Sequence, residues 1–113
     1  YSNNRIALVS IPWDEIEKFS ALYNPAMLVI DDMRLGKGTN IAIVFKIYKD
    51  GKVTAKIRSN FGRGISDKLA EHFGGGGHPY ASGFKILSGK RFEDIKRETI
   101  EVATSLLDDL KVL

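Results

Sequence analysis

Four consecutive glycines, Gly74 to Gly77, constrain this 113-residue chain more than any other stretch. Glycine has no Cβ and adopts positive φ as readily as negative φ, so its backbone can approach a ligand closely. Successive bare amides can form a concave site for an anion, and His78 follows them directly. Ordering glycines costs of order 1–2 kcal/mol per residue. Phosphate binding is one interaction that could offset this cost, and the simpler alternatives are a helix C-cap or a flexible loop.

The composition is that of one globular domain covering residues 1–113. Hydrophobic residues make up 43% of the chain and charged residues 27%, which favours a folded core over disorder. The absence of cysteine excludes a disulfide scaffold and a thiolate zinc site. The net charge of +3 permits a polyanionic partner without requiring one.

Nothing in the sequence indicates a membrane or secreted protein. No apolar run approaches the roughly 20 residues that a membrane-spanning helix needs, and the N-terminus lacks a signal-peptide pattern. We therefore expect a cytoplasmic location and no membrane partner. Because the sequence opens at Tyr1 rather than at methionine, we also expect it to be a fragment of a longer protein.

Hydrophobic patterning predicts an α+β domain. The predicted strands cover 5–11, 41–48, 53–59 and 81–87. One predicted helix begins after Pro12, and two more cover 65–73 and 91–110. The segment 26–34 is either a helix or a strand. The last helix has an inward stripe formed by Phe92, Ile95, Thr99, Val102, Leu106 and Leu110. This order predicts a mixed sheet of about four or five strands with a central hairpin, packed by three or four helices.

The central hairpin determines where Arg58 lies. Asp50-Gly51 between two strand-like segments is typical of a two-residue turn. Such a turn places Tyr48 opposite Val53 and Ile43 opposite Arg58. Arg58 would then share a face with apolar residues and would have to reach either an anion or, as the simpler alternative, solvent.

No catalytic motif accompanies the glycine run. The sequence has no nucleophile elbow, no pair of histidines at helical spacing and no Walker pattern. A binding set remains: Arg58 and Ser59 end one predicted strand, and the glycines and His78 precede another. Arginine and backbone amides both suit phosphate. Phe61 and Tyr80 lie beside this set and could stack on a base, although ordinary packing is the commoner role of such rings.

The segment Gly75 to Phe84, which reads GGGHPYASGF, resembles the GGGHxxAAGF signature of the DHH-associated domain of DHH-family phosphoesterases. That family includes RecJ-type exonucleases, oligoribonucleases that degrade very short RNA, and cyclic-dinucleotide phosphodiesterases. The segment 56–59 is similar to the family's strand ending in Arg-Ser, and 65–73 is similar to the helix before its glycines. Two departures are Ser82, where the family usually has alanine, and a longer loop over 60–64.

The resemblance implies the substrate-binding half of such an enzyme. In the family, two metal ions hydrolyse a phosphodiester, and their Asp and His ligands lie in a separate N-terminal domain. The resemblance therefore implies no cofactor in this chain, a divalent metal (Mn or Mg) in the separate domain, and no activity of this chain alone. The residues that it implies for phosphate and sugar are Arg58, Ser59, Gly75, Gly76, Gly77 and His78. Further base or sugar contacts would come from Tyr80, Phe61 and Arg63.

The partners implied are short single-stranded RNA or DNA, or a dinucleotide, together with the N-terminal DHH catalytic domain of the same chain. A homodimer is also compatible with the resemblance. Two alternatives stay open. One is an accessory module that binds tRNA, as in the C-terminal domain of alanyl-tRNA synthetases. The other is a dimerisation or regulatory domain in which the glycines act as a hinge.

Overall fold

The computed structural model describes residues 5–14, 39–60, 64–87 and 89–112 of the chain. In chain order its elements are β1 (Ile6–Ile11), β2 (Ile41–Ile47), β3 (Val53–Ser59), α1 (Ser66–His72), β4 (Gly76–His78), β5 (Ala81–Ile86) and α2 (Phe92–Val112). The predicted α+β class is confirmed. Two helices are seen in these ranges, against the three or four predicted for the whole chain. The helix predicted after Pro12 lies outside the described residues beyond Asp14, as does the segment 26–34.

The strands form one mixed sheet of five in the order β1-β2-β3-β5-β4. β1 runs parallel to β2, and the other pairs are antiparallel. Residues 41–45 of β2 are buried on both faces, as expected of an interior strand. β4 has only three residues and lies at the edge beside β5. The end of the glycine run is therefore part of the sheet, two strands away from β3.

Helices α1 and α2 cover one face of the sheet, which we call the helix face. Its buried core includes Ile43, Phe45, Ile57, Leu69, Phe84, Ile95 and Leu107. The Phe73 and Phe84 rings stack with 4.3 Å between centroids, and Phe45 meets Phe92 edge-on at 5.3 Å. Both are favourable aromatic geometries, so the helix face contains the main hydrophobic core of the domain.

The stripe predicted on the last helix is confirmed by the packing of α2. Ile95 and Thr99 are fully buried, and the other predicted members are partly buried against the core. The Thr99 hydroxyl donates to the carbonyl of Ile95 at 2.7 Å, which satisfies its polar atom inside the core. Ala103 and Leu107 are also buried, so the stripe is wider than the prediction.

The opposite face of the sheet has two parts. Over β1 and β2, Val9 and Trp13 pack against Ile11, Ala42 and Val44. Over β3, β5 and β4 the side chains are small or polar, and we call this part the open face. From β3 and β5 it carries Thr54, Lys56, Arg58, Ala81, Gly83 and Lys85.

The loop of the β2–β3 hairpin has three residues, so the predicted two-residue turn is wrong. The Tyr48 N–H donates to the carbonyl of Lys52 at 2.8 Å, which closes the loop around residues 49–51. Gly51 adopts φ of +90°, the left-handed conformation typical of the last position of such a loop. The Asp50 carboxylate accepts the Lys52 N–H at 3.0 Å.

The extra loop residue shifts the strand pairing by one. Arg58 lies opposite Ala42, and Ile57 takes the place opposite Ile43 that was predicted for Arg58. A shift of one residue exchanges the two faces of a strand relative to its partner. Arg58 therefore lies on the open face, away from the main core.

The glycine run begins as a helix C-cap. Gly74 follows the end of α1 with φ of +84°, and its N–H donates to the carbonyl of Glu71 at 3.0 Å. The N–H of Gly75 donates to the carbonyl of Ala70 at 2.8 Å. These are the two hydrogen bonds of a Schellman motif, so Gly74 terminates the helix.

The rest of the run is an edge strand, and the predicted loop over Gly75–His78 is wrong from Gly76 onward. β4 pairs antiparallel with β5 through Gly76 and Gly83, Gly77 and Ser82, and His78 and Ala81. Amides of a strand point alternately to its two sides and do not converge on one point as they do in an anion-binding nest. The segment from Gly76 to His78 is therefore a strand and not an anion-binding nest.

Replacing Gly74 with alanine will lower the free energy of unfolding by about 1–2 kcal/mol, because an L-residue pays roughly that cost in the left-handed conformation. Urea denaturation at equilibrium measures this change. Gly76→Ala is the matched control, since no atom lies within 4 Å of the added Cβ, and we expect a change within about 0.5 kcal/mol. Equal destabilisation by the two variants would contradict the assignment of Gly74 as the cap.

Candidate anion-binding groove

A groove of about 710 Å³ lies on the open face. Its charged lining residues are Lys46, Lys56, Arg58 and Lys85. No aspartate or glutamate occurs among the described residues that line it. The remaining lining consists mainly of residues 74–77 and 81–84, together with Thr54 and Tyr48. The groove therefore combines cations with a surface of small residues.

Strand pairing arranges the groove in three cross-strand rows. Across β3, β5 and β4 the first row is Arg58, Ala81 and His78, and the second is Lys56, Gly83 and Gly76. Across β2, β3 and β5 the third row is Lys46, Thr54 and Lys85. Residues directly opposite in antiparallel strands present their side chains on the same face. Arg58 and His78 thus lie on one face with only the methyl group of Ala81 between them.

In the second row the backbone beside Lys56 carries no side chains, and we call this stretch of backbone the bare floor. Gly76 and Gly83 contribute no side chain, and an added Cβ on Gly76 would enter open space. A Cβ on Gly83 would come within 2.7 Å of the Ala55 carbonyl oxygen, so this position requires glycine for packing. Gly76 is therefore the glycine whose substitution would change the groove without disturbing its frame.

The other two glycines of the run are needed for close packing. A Cβ on Gly75 would lie 2.7 Å from Cβ of Phe84, and one on Gly77 would lie 2.7 Å from Cα of Ser82. These distances are shorter than carbon–carbon contact allows. Gly75 and Gly77 thus let β4 approach β5, which brings His78 into the first row.

The guanidinium of Arg58 is partly buried at the end of β3. Its Nη1 donates to the carbonyl of Ile57 at 2.9 Å. Because a guanidinium has five N–H donors, this bond leaves capacity for an anion while it restrains the side chain. His78 lies at the other end of the row, is exposed and lies just outside the groove lining.

Ser59 lies on the helix face, opposite to Arg58. Its hydroxyl is fully buried and lies 2.6 Å from the Ser66 hydroxyl. The Ser82 hydroxyl donates to the Ser66 carbonyl at 2.6 Å, and the Ser66 N–H donates to the carbonyl of Pro79 at 2.9 Å. The Ser59 N–H donates to the carbonyl of Tyr80 at 3.0 Å. We call Ser59, Ser66 and Ser82 the serine cluster; it joins β3, α1 and the β4–β5 turn beneath the groove.

The predicted aromatic contacts lie apart from the groove or outside the described residues. Tyr80 is 42% exposed and packs beside Gly64, where an added Cβ would come within 3.2 Å of its ring. It does not belong to the groove lining. Phe61 and Arg63 fall outside the described residues, and their roles stay predictions.

The structure adds three lysines that the sequence-based site did not include. Lys56 and Lys85 lie on β3 and β5, and Lys46 lies on β2. Partial burial, and secondarily the positive charge of Lys56, lower the pKa of Lys46. Alternation along 53–59 already placed Lys56 beside Arg58, but only strand pairing brings Lys46 and Lys85 to the same groove.

The described residues offer no group of three or more His, Cys, Asp or Glu side chains that could hold a metal ion. The divalent metal that the resemblance implies belongs to a separate domain, and we derive no hydrolytic step from the described residues. None of the described helices is long and apolar enough to cross a membrane.

Comparison with known families identifies the domain. The model of the DHHA1 domain matches residues 26–105, which is most of the chain. The chain therefore belongs to the DHHA1 (DHH-associated) domain family. No curated protein sequence matches it significantly.

Solved structures from several proteins have the same fold. An exopolyphosphatase-related protein from Bacteroides fragilis has a TM-score of 0.75 and 24% identity, over 96% of this chain and 32% of that one. A pGpG-specific phosphodiesterase from Vibrio cholerae has a TM-score of 0.58 and 17% identity, over 94% of this chain and 34% of that one. The chain thus spans about a third of the length of these two proteins.

A third structure is similar over nearly its full length. The C-Ala domain of alanyl-tRNA synthetase from Aquifex aeolicus has a TM-score of 0.56 and 12% identity, over 90% of this chain and 89% of that domain. At these identities the likenesses show a shared fold, and the functions of these proteins are their own.

Ser59→Ala will lower the free energy of unfolding by about 1–3 kcal/mol, because the buried Ser66 hydroxyl loses its hydrogen bond to Ser59. Thermal or urea denaturation measures the loss. The double variant Ser59→Ala, Ser66→Ala removes both hydroxyls and should lose less than the sum of the two single variants. Additive losses would show that the two hydroxyls are not coupled.

Proposed function

We propose that this chain is the substrate-holding domain of a DHH-family phosphoesterase and that its groove binds a phosphate of a short single-stranded oligonucleotide or dinucleotide. Hydrolysis would belong to a separate domain that carries the metal ligands. In this role the chain contributes affinity and orientation, because holding a substrate in place lowers the barrier of a reaction performed by other groups.

The first row of the groove carries the proposal. Arg58 and His78 lie on one face with only Ala81 between them, and Lys56 lies one row away beside the bare backbone of Gly76 and Gly83. A guanidinium forms paired hydrogen bonds with phosphate oxygens. Among the described lining residues no carboxylate competes with the phosphate for the guanidinium. Small residues between the cations leave room for the phosphate and its sugar.

The serine cluster and Tyr80 act indirectly in this proposal. The Ser59 hydroxyl faces the helix side and is bonded to Ser66, so it holds the end of β3 rather than contacting the ligand. Tyr80 lies outside the groove lining, and Phe61 and Arg63 stay predicted base or sugar contacts.

The fold comparisons support the same proposal. Two of the similar structures are an exopolyphosphatase-related protein and a pGpG-specific phosphodiesterase. The dinucleotide named for the second is a small anion that would fit a cationic groove. We use pGpG as the first probe for this reason.

Binding of tRNA is the second candidate, favoured by the match to the C-Ala domain over nearly the whole length of both. A basic face can bind the phosphates of folded RNA as well as those of a short strand. Competition distinguishes the two: if a tRNA transcript displaces pGpG at a concentration far below that of a single-stranded trinucleotide, the accessory RNA-binding function is correct.

Arg58→Gln will weaken pGpG binding by about tenfold to a hundredfold, because a hydrogen bond to a charged group contributes about 1.5–3 kcal/mol. Isothermal titration calorimetry on the purified chain measures the dissociation constant. Arg91→Gln removes the same charge from an exposed arginine at the start of α2 and should leave binding within twofold.

Gly76→Ala tests the bare floor in the same assay. We expect weaker pGpG binding with an unchanged denaturation midpoint, because the methyl group enters open space in the groove. If Arg58→Gln and Gly76→Ala both bind pGpG like the unmodified chain, the groove is not the ligand site and the proposed function fails.

A further inference from the structure

The third row of the groove extends beyond the Arg58–His78 site and holds a second pair of cations. Lys46 and Lys85 flank Thr54 across three neighbouring strands. Thr54 and Arg58 lie four positions apart on β3, which corresponds to roughly 13 Å along an extended strand. The third row is therefore a cluster of cations distinct from the row of Arg58.

Lys46 and Lys85 line the same groove with like charges. The described residues of the lining include no carboxylate. Partial burial, and secondarily the charge of Lys56, lower the pKa of Lys46. An anion bound between the Lys46 and Lys85 ammonium groups would neutralise their charge, and the Thr54 hydroxyl can donate a further hydrogen bond.

A second groove, lined by residues of α2 and those just before it, carries cations together with acids. Lys90, Arg91 and Arg97 line it together with Asp94, Glu98 and Glu101. Arg97 Nη2 lies 3.2 Å from the Asp94 carboxylate. The groove on the open face differs because its described lining has the cations without the acids.

We infer that Lys46, Thr54 and Lys85 form a further phosphate subsite, so that the groove holds successive phosphates of an extended single strand from Arg58 to Lys85. This inference rests on the proposed function, since it assigns the same groove a ligand with several phosphates. The subsite selects trinucleotides and longer strands over a mononucleotide. Because its contacts are to phosphate, it is indifferent to base sequence.

The test compares AMP, pApA and pApApA as ligands of the purified chain by calorimetry. Unmodified chain should bind more tightly as the number of phosphates increases, by at least tenfold from AMP to pApApA. The double variant Lys46→Gln, Lys85→Gln should lose most of this gain in affinity. Its dissociation constant for AMP should stay within twofold of that of the unmodified chain. The control Lys90→Gln, Arg91→Gln makes the same charge change away from the groove and should keep the gain.

Salt dependence gives a second measurement that does not rely on absolute affinity. The slope of log K against log salt concentration for pApApA should become shallower by about 0.7 in the Lys46→Gln, Lys85→Gln variant, the value for one phosphate contact of a single strand. The AMP slope should not change. Lys46→Arg, Lys85→Arg should restore both the slope and the gain, which a merely structural role of these lysines would not predict.

The possible outcomes test the further subsite and the proposed function separately. If Arg58→Gln weakens AMP and pApApA binding but the lysine variant keeps the full gain, the further subsite is wrong and the proposed function stands. If Arg58→Gln weakens neither ligand, the proposed function fails. If inorganic tripolyphosphate binds as tightly as pApApA and with the same lysine dependence, the assignment to a nucleic acid strand is overturned.

Discussion

The antiparallel pairing of β3 with β5, and of β5 with β4, is the constraint on which the candidate site depends. It brings together residues that are 20 positions apart in the chain, Arg58 and His78, on one face of one sheet. The close approach of β4 is possible because Gly75 and Gly77 lack side chains at points where a Cβ would collide with Phe84 or Ser82. The site is thus a property of three strands and not of one loop.

Support for this pairing comes from beneath the sheet. The serine cluster ties the end of β3, the start of α1 and the β4–β5 turn together with short hydrogen bonds. Buried hydroxyls are costly when unpaired and stabilise when paired. Ser82, which departs from the alanine usual in the family signature, donates one of these bonds to the Ser66 carbonyl, so the departure adds a hydrogen bond to the frame of the site.

The two faces of the sheet contribute differently to the stability of the domain. The helix face buries the main apolar core, and the hydrophobic effect there provides most of the stability. The open face keeps Lys46, Lys56, Arg58 and Lys85 in one groove, and like charges that lie close together oppose folding. The apolar core on the other face can offset such a cost.

The sequence determined the elements that local chemistry controls. Apolar alternation predicted β3, a 3.6-residue period predicted α2 and its buried stripe, and the glycine–histidine segment identified the family and pointed to Arg58 and His78. Local signals sufficed because hydrophobic period and backbone propensity act within a few residues of the chain.

Only the tertiary structure decided the register, the form of the glycine run and the extent of the site. The loop with Gly51 at positive φ moved Arg58 to the open face, a one-residue difference that the Asp50-Gly51 signal did not resolve. Pairing with β5 turned the predicted loop into β4 and brought Lys85 to the groove. The β2–β3 register brought Lys46 there and left Ser59 on the helix face. These features depend on contacts between distant segments, and the physical reason is that strand pairing energy is realised only when both partners are in place.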